Sequence, residues 1–158
     1  KNKDLRILIP GCGNSHEAEY LFEKGFKNVY VLDFSKKAID NFSSRVEKFP
    51  KENLLCEDFF NISGNYDIII EQTFFCAIKK SKRLEYVNKI HSLLNNNGKL
   101  VGVLFNVPLN NDHPPFGGSY NEYQKYFSHL FELMVFEPSN NSISSRKGKE
   151  LFINFLRK

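Results

Sequence analysis

The chain has no tryptophan, one methionine and only three cysteines among its 158 residues. Cys12, Cys56 and Cys76 stand apart from one another, are odd in number and each sit in an apolar context. That pattern excludes a disulfide scaffold and a zinc site and fits a reducing compartment, so a cytoplasmic protein without a metal is expected. No stretch is long and apolar enough to cross a bilayer, so no membrane partner is expected. No signal peptide is visible, and because the first residue is not Met a leading piece is expected to be missing. Positive charge is only mildly in excess, with a formal net of +4. Lys and Arg are scattered among many Asn, and Arg146, Lys147 and Lys149 form a small basic cluster. Nucleic-acid binding needs basic residues gathered on one face, so no nucleic-acid partner is expected. Repeats, low-complexity tracts and a second-domain boundary are all missing, which leaves one domain over residues 1–158.

What is present is a core. Hydrophobic residues make up 41% of the chain and aromatics 15%, enough for a two- or three-layer interior at this length. The period of the apolar residues divides the chain into alternating strands and helices. Strand one is expected at Leu5 to Ile9. A helix from Ser15 follows, with Ala18, Leu21 and Phe22 on one face and Gly25 closing it. Strand two, Asn28 to Leu32, has the uninterrupted apolar run of a parallel strand covered on both faces. Helix two is expected from Ser35 to Glu47, with Ala38, Ile39, Phe42 and Val46 inward and Pro50 after it. Strands three and four are placed at Asn53 to Glu57 and Tyr66 to Ile70. A helix from Lys82 to Leu94 follows, with Leu84, Val87, Ile90 and Leu94 inward, stopped by Asn97-Gly98. Strand five is Lys99 to Phe105.

The pattern then changes. Val107 to Ser119 holds three prolines and two glycines without a period, a long loop for a compact domain. A short helix from Tyr120 to His129 precedes two strands, Phe131 to Glu137 and Leu151 to Leu156. The connection between them has no room for a crossover helix, so they must be antiparallel neighbours. Five βα units closed by an antiparallel pair form the plan of an S-adenosylmethionine-dependent methyltransferase sheet, whereas a dinucleotide-binding fold would finish on another parallel strand. The expected class is α/β: a doubly wound, Rossmann-like class I methyltransferase sheet, mostly parallel with an antiparallel last strand and helices on both faces.

The opening strand runs into Pro10-Gly11-Cys12-Gly13-Asn14-Ser15, and Asp33 stands at the tip of strand two. A dinucleotide fingerprint requires a third small residue where pyrophosphate meets the helix, and His16 occupies that position. S-adenosylmethionine has no phosphate to cradle. It needs a backbone that allows close approach, which Gly11 and Gly13 provide, and an acceptor for two ribose hydroxyls, which the Asp33 carboxylate provides. An ordinary βα turn with Asp33 as a helix cap is the alternative. Ligands in such sheets bind outside the carboxyl ends of the strands. Strand three contributes Asp58, suited to accept from an adenine amino group, and Phe59, suited to lie against the purine. A turn cap and a plain core residue are the alternatives for these two. Strand four contributes Glu71, Gln72 and the run Thr73-Phe74-Phe75-Cys76.

Four segments carry a more specific likeness. Pro10-Gly11-Cys12-Gly13, Glu71-Gln72-Thr73-Phe74-Phe75-Cys76-Ala77-Ile78, His113-Pro114-Pro115-Phe116 and Ser145-Arg146-Lys147-Gly148-Lys149-Glu150 together resemble the thiopurine S-methyltransferase family, which includes halide and thiol methyltransferases. The resemblance covers essentially the whole chain. It implies S-adenosylmethionine as cofactor, with Gly11, Gly13, Asp33, Asp58, Phe59 and Gln72 at cofactor-contacting positions. Gln72 departs from members that carry Arg or Tyr there. It implies a loop around Pro115 and Phe116 that closes over the acceptor. Phe74, Phe75 and Phe116 would then line an aromatic pocket for a small soft nucleophile such as a thiol, a thiopurine or a halide. A soft anion displacing a sulfonium in line needs no obligatory base, so no catalytic acid or base is assigned. His16, His91 and His113 are expected to be structural. Members of the family carry an N-terminal segment, often with Trp, over the methionine end of the cofactor. This chain shows no such segment, so weak cofactor binding is expected of it as it stands, and a non-catalytic or truncated binding module is the alternative reading.

Overall fold

The structure is a computed structural model that describes residues 2–158. Its strands are β1 (Ile7–Pro10), β2 (Val29–Leu32), β3 (Leu54–Leu55), β4 (Tyr66–Gln72), β5 (Leu94–Phe105), β6 (Phe131–Pro138) and β7 (Glu150–Arg157). Its α-helices are α1 (His16–Glu23), α2 (Lys36–Arg45), α3 (Arg83–Leu93) and α4 (Tyr120–Phe127). All seven strands form one sheet in the order β3-β2-β1-β4-β5-β7-β6. The β3 to β5 half is parallel, and β7 runs antiparallel to both β5 and β6. The strand order reverses between β1 and β4, and the cleft this opens at the carboxyl ends is where such sheets bind ligands.

Alternation along the strands divides the core into two layers. Ile9, Val29 and Val31 pack with Ala18 of α1 and Ile39 and Phe42 of α2 on one face. Leu8, Ile69, Leu100, Ile153 and Phe155 pack with α3 and α4 on the other. Beyond α1 the first face is less covered, and Leu5, Leu21, Phe26, Ile68, Ile70 and Val101 line an apolar groove of about 440 Å³.

Several boundaries differ from the sequence expectation for identifiable reasons. β3 is only two residues long, and no helix joins it to β4. There are thus fewer βα units than the expected five. Helix α3 stops at Leu93 because Leu94 already pairs with Tyr66 of β4; Asn95 to Gly98 bulge out of the ladder before Lys99 resumes opposite Ile68. Asn97, at φ 63°, makes the turn inside that bulge and does not terminate the helix. Leu84 was expected inward but is 58% exposed. The buried face of α3 is instead Arg83, Tyr86, Val87, Ile90 and Leu93. Two polar-headed residues have displaced a leucine because each finds a buried hydrogen-bond partner, and that signal is invisible to hydrophobic periodicity.

Candidate active site

The turn after β1 is set by hydrogen bonds to β2. The Cys12 N–H donates to the Leu32 carbonyl at 3.0 Å, and the Gly13 N–H donates to Asp33 Oδ2 at 3.0 Å. Asp33 Oδ1 accepts from the Ser35 N–H at 2.9 Å. Helix α2 is capped by Ser35, whose hydroxyl accepts from the Ala38 N–H, so Asp33 is not the cap. Its carboxylate spans two turns and retains unused lone pairs. Asp58 makes a similar local bond, accepting from the Phe60 N–H at 2.8 Å.

Gly11 has φ +60°, and a Cβ there would lie 2.1 Å from Cδ2 of Phe74. Phe74 therefore closes over the glycine turn, and its ring meets Phe59 edge to face at 5.1 Å between centroids. A cleft of about 310 Å³ lies above them, lined by Gly11, Asp33 and Asp58 from beyond the ends of β1, β2 and β3 and by Thr73, Phe74, Ala77 and Ile78 from the segment after β4. Phe59 also lines it, and so does Phe34, 83% exposed beside Asp33. Sequence reading had not singled out Phe34, although an aromatic directly after the acidic tip was available as a signal.

The turn after β4 is held from beneath by Glu71, which is 1% exposed. Its Oε1 accepts from the Phe74 and Phe75 N–H groups, both at 2.8 Å, and its Oε2 accepts from the Tyr86 hydroxyl. Burial pushes the Glu71 carboxyl up to about 7, with the three hydrogen bonds pulling the other way. The same contact and desolvation raise the Tyr86 hydroxyl well above its ordinary range. Thr73, in the middle of the turn, has φ 61°. A β-branched residue in the left-handed region is strained, and the bonds to Glu71 hold it there.

A second cavity, about 320 Å³, adjoins the first. Thr73 and Ala77 line both. Its other walls are Cys76, Phe105, Pro114, Pro115 and Arg146. The Arg146 guanidinium lies 5.3 Å from the centre of the Phe105 ring and 3.3 Å from Glu150.

Other anticipated residues lie elsewhere. Gln72 lines a third cavity of about 500 Å³, with Val103, Phe152 and residues 137–143, and Arg146 lines this cavity as well as the second. Successive side chains of a strand face opposite ways, so Gln72 cannot share a side with Glu71. Phe75 is 1% exposed and packs against Tyr86, Tyr123 and Phe127; Phe116 is 4% exposed. Both stand behind the second cavity and do not form its surface. His16 is exposed, 3.7 Å from Glu19, and His113 is exposed beside Asp112. No cluster of metal-ligating side chains occurs among the described residues. No helix is long and apolar enough to cross a membrane.

Residues 1–156 match the family described as Thiopurine S-methyltransferase. The chain belongs to that family. It is 29% identical over 151 residues to "Probable thiol methyltransferase 2" of Arabidopsis thaliana and 28% identical to "Thiocyanate methyltransferase 1" of Brassica oleracea, in each case over 92% of this chain and 66% of the relative. "Thiopurine S-methyltransferase" of Photobacterium profundum is 25% identical over 79% of the chain and 66% of the relative. The chain thus spans just under two thirds of the length of these thiopurine S-methyltransferase family relatives. In fold it superposes on a 1,6-didemethyltoxoflavin-N1-methyltransferase of Burkholderia thailandensis with a TM-score of 0.81 at 12% identity, over 98% of this chain and 72% of that one. A SAM-dependent methyltransferase of Methanosarcina mazei gives a TM-score of 0.80 at 15% identity, over 100% of this chain and 94% of that one.

Proposed function

We propose that this chain is the catalytic domain of a methyltransferase that passes the methyl group of S-adenosylmethionine to a small soft nucleophile: a thiol, a thiopurine or a halide. The observation that carries this reading is the pair of adjoining cavities with Thr73 and Ala77 in their common wall. One cavity has the chemistry of an adenosine site. In this reading Asp33 takes the ribose hydroxyls and Asp58 the adenine amino group, exposed Phe34 and largely buried Phe59 line the purine end, and Gly11 gives backbone access. Gly13 contributes indirectly, since its N–H holds Asp33 in place. Sequence position favours Gln72 as a further cofactor contact, but its side of the sheet favours Gly11, Asp33, Asp58 and Phe59 over it.

S-adenosylmethionine supplies an activated methyl group, and the remaining work is positioning. Holding donor and acceptor in line can contribute roughly 7–11 kcal/mol in favourable cases. Phe74, Phe105 and the two prolines make the junction apolar, and exclusion of water favours a reaction in which an anion neutralises a sulfonium. Arg146 is the cation lining the acceptor side, which suits a thiolate or halide. No side chain at the junction is placed as an obligatory base: Glu71 is sealed below the turn and bound on both oxygens.

Calorimetric titration with S-adenosylmethionine, followed by methyl-transfer assays with hydrosulfide, iodide and a thiopurine, tests the proposal. Cofactor binding and turnover of at least one of these acceptors is the expected result. Cofactor binding with none of them methylated, in the full-length protein, overturns the assignment of acceptor class.

A further inference from the structure

The side chain of Arg83, at the first turn of α3, is completely buried. It lines neither cavity. One nitrogen donates to Glu122 Oε1 on α4 at 2.8 Å. Another donates to the Gly117 carbonyl at 2.9 Å and to the Phe116 carbonyl at 3.3 Å. The Phe75 ring lies 4.6 Å below the guanidinium carbon. Arg83 therefore joins α3, α4 and the C-terminal leg of the long loop at one point.

A buried ion pair is weak evidence for stability, because desolvating it costs about as much as the attraction returns. Its value lies in geometry: a planar fork fixes several acceptors at once. The acceptors it fixes here belong to the loop. Within that leg the Phe116 N–H donates to the Cys76 carbonyl at 2.6 Å, and a Cβ on Gly117 would lie 2.2 Å from the Val107 carbonyl oxygen. The leg therefore lies close against Cys76 and Val107. Immediately before it stand Pro114 and Pro115, which rim the second cavity.

We propose that Arg83 is a positioning residue for the methyl acceptor: it pins the Phe116-Gly117 leg and thereby sets the Pro114-Pro115 rim, touching neither acceptor nor cofactor. The inference rests on the reading of the second cavity as the acceptor site. It separates two functions that share one turn. The adenosine cleft draws on Glu71 and Tyr86, whereas the acceptor rim draws on Arg83 and Glu122.

The test uses the full-length protein and the variants Arg83→Lys, Arg83→Met and Glu122→Gln. Cofactor Kd is measured by calorimetry, kcat and KM with hydrosulfide and a thiopurine, and amide exchange over residues 106–119. The expected result for Arg83→Met is a cofactor Kd within twofold of wild type and an acceptor KM raised at least tenfold. Exchange should be faster at residues 116–118, with Arg83→Lys and Glu122→Gln intermediate. Should Arg83→Met not fold, the two milder variants carry the same comparison. Equal losses in cofactor and acceptor binding, or unchanged acceptor KM in folded variants, overturn the proposal. A wild-type protein that binds cofactor but methylates no acceptor instead overturns the reading beneath it, and the exchange data still report whether Arg83 pins the loop.

Discussion

Gly11 and Phe74 meet so closely that a methyl group on the glycine would fall 2.1 Å from the aromatic ring. The floor of the cleft proposed for adenosine is thus formed by a backbone and a side chain that define each other's position. Gly11→Ala meets both this clash and the strain of φ +60°, the latter worth about 1–2 kcal/mol. Cofactor affinity is expected to fall at least tenfold by calorimetry. Gly13→Ala is the control. At φ +50° it carries the strain, but no atom lies within 4 Å of its Cβ, so its effect should be smaller. Equal effects would show that strain alone decides.

Asp33 is bound on both oxygens, to Gly13 and to Ser35. Asp33→Ala should therefore lower the melting temperature and also weaken S-adenosylmethionine binding by more than about 1 kcal/mol, the share of a charge-assisted bond. A lower melting temperature with unchanged cofactor affinity would reduce Asp33 to a turn residue.

Glu71 makes stability depend on pH with an unusual sign. Its carboxyl rises from an ordinary 4.5 to about 7 in the folded chain, chiefly through burial. The folded state therefore holds the proton more tightly than the unfolded state. The contribution is fully present below about 4.5 and is lost as pH rises to about 7, where it levels off. The span corresponds to about 3 kcal/mol at 1.36 kcal/mol per unit. Denaturant midpoints measured between pH 4.5 and pH 8 should show a decline in the wild type that Glu71→Gln flattens. A parallel decline in the variant would place the titrating group elsewhere.

The three thiols differ in reach. Cys56 is exposed, whereas Cys12 and Cys76 are buried. Burial, aided by the Asp33 charge for Cys12 and the Glu71 charge for Cys76, pushes their thiols up to about 12 and about 11. Because the thiolate is the reactive form, an aromatic disulfide reagent at mildly alkaline pH should label one thiol quickly in the folded protein and all three in denaturant. Fast labelling of Cys76 in the native state would mean that the Phe75 turn opens readily.

Much of this architecture was legible because parallel strands covered on both faces announce themselves as short apolar runs, as Val29 to Leu32 does. The glycine turn and the acidic tip at Asp33 were legible through spacing. The failures have a common cause. Leu84 was set inward and Arg83 ignored, because periodicity assigns the interior to apolar residues and has no measure for a cation whose partners lie more than thirty positions away, at Phe116, Gly117 and Glu122. The aromatic residues expected to line an acceptor pocket differ for the same reason. Phe75 and Phe116 have suitable chemistry, but tertiary packing turned them into the core and left Pro114, Pro115 and Arg146 at the surface of the cavity. Gln72 matches the family by its place in a motif, whereas in the fold it lines the cavity of Val103 and Phe152 and not that of Gly11 and Asp33.

The cleft proposed for adenosine takes Gly11, Asp33 and Asp58 from beyond the ends of β1, β2 and β3 and Thr73, Phe74, Ala77 and Ile78 from the segment after β4. An occupant of that cleft bonds these separate strand ends to one another as a rivet joins plates. Whatever fills it binds only the assembled form, so heat resistance becomes a function of occupancy, growing with the logarithm of ligand concentration once the site is saturated. A melting-curve shift can therefore serve as a ligand screen that needs no knowledge of the acceptor.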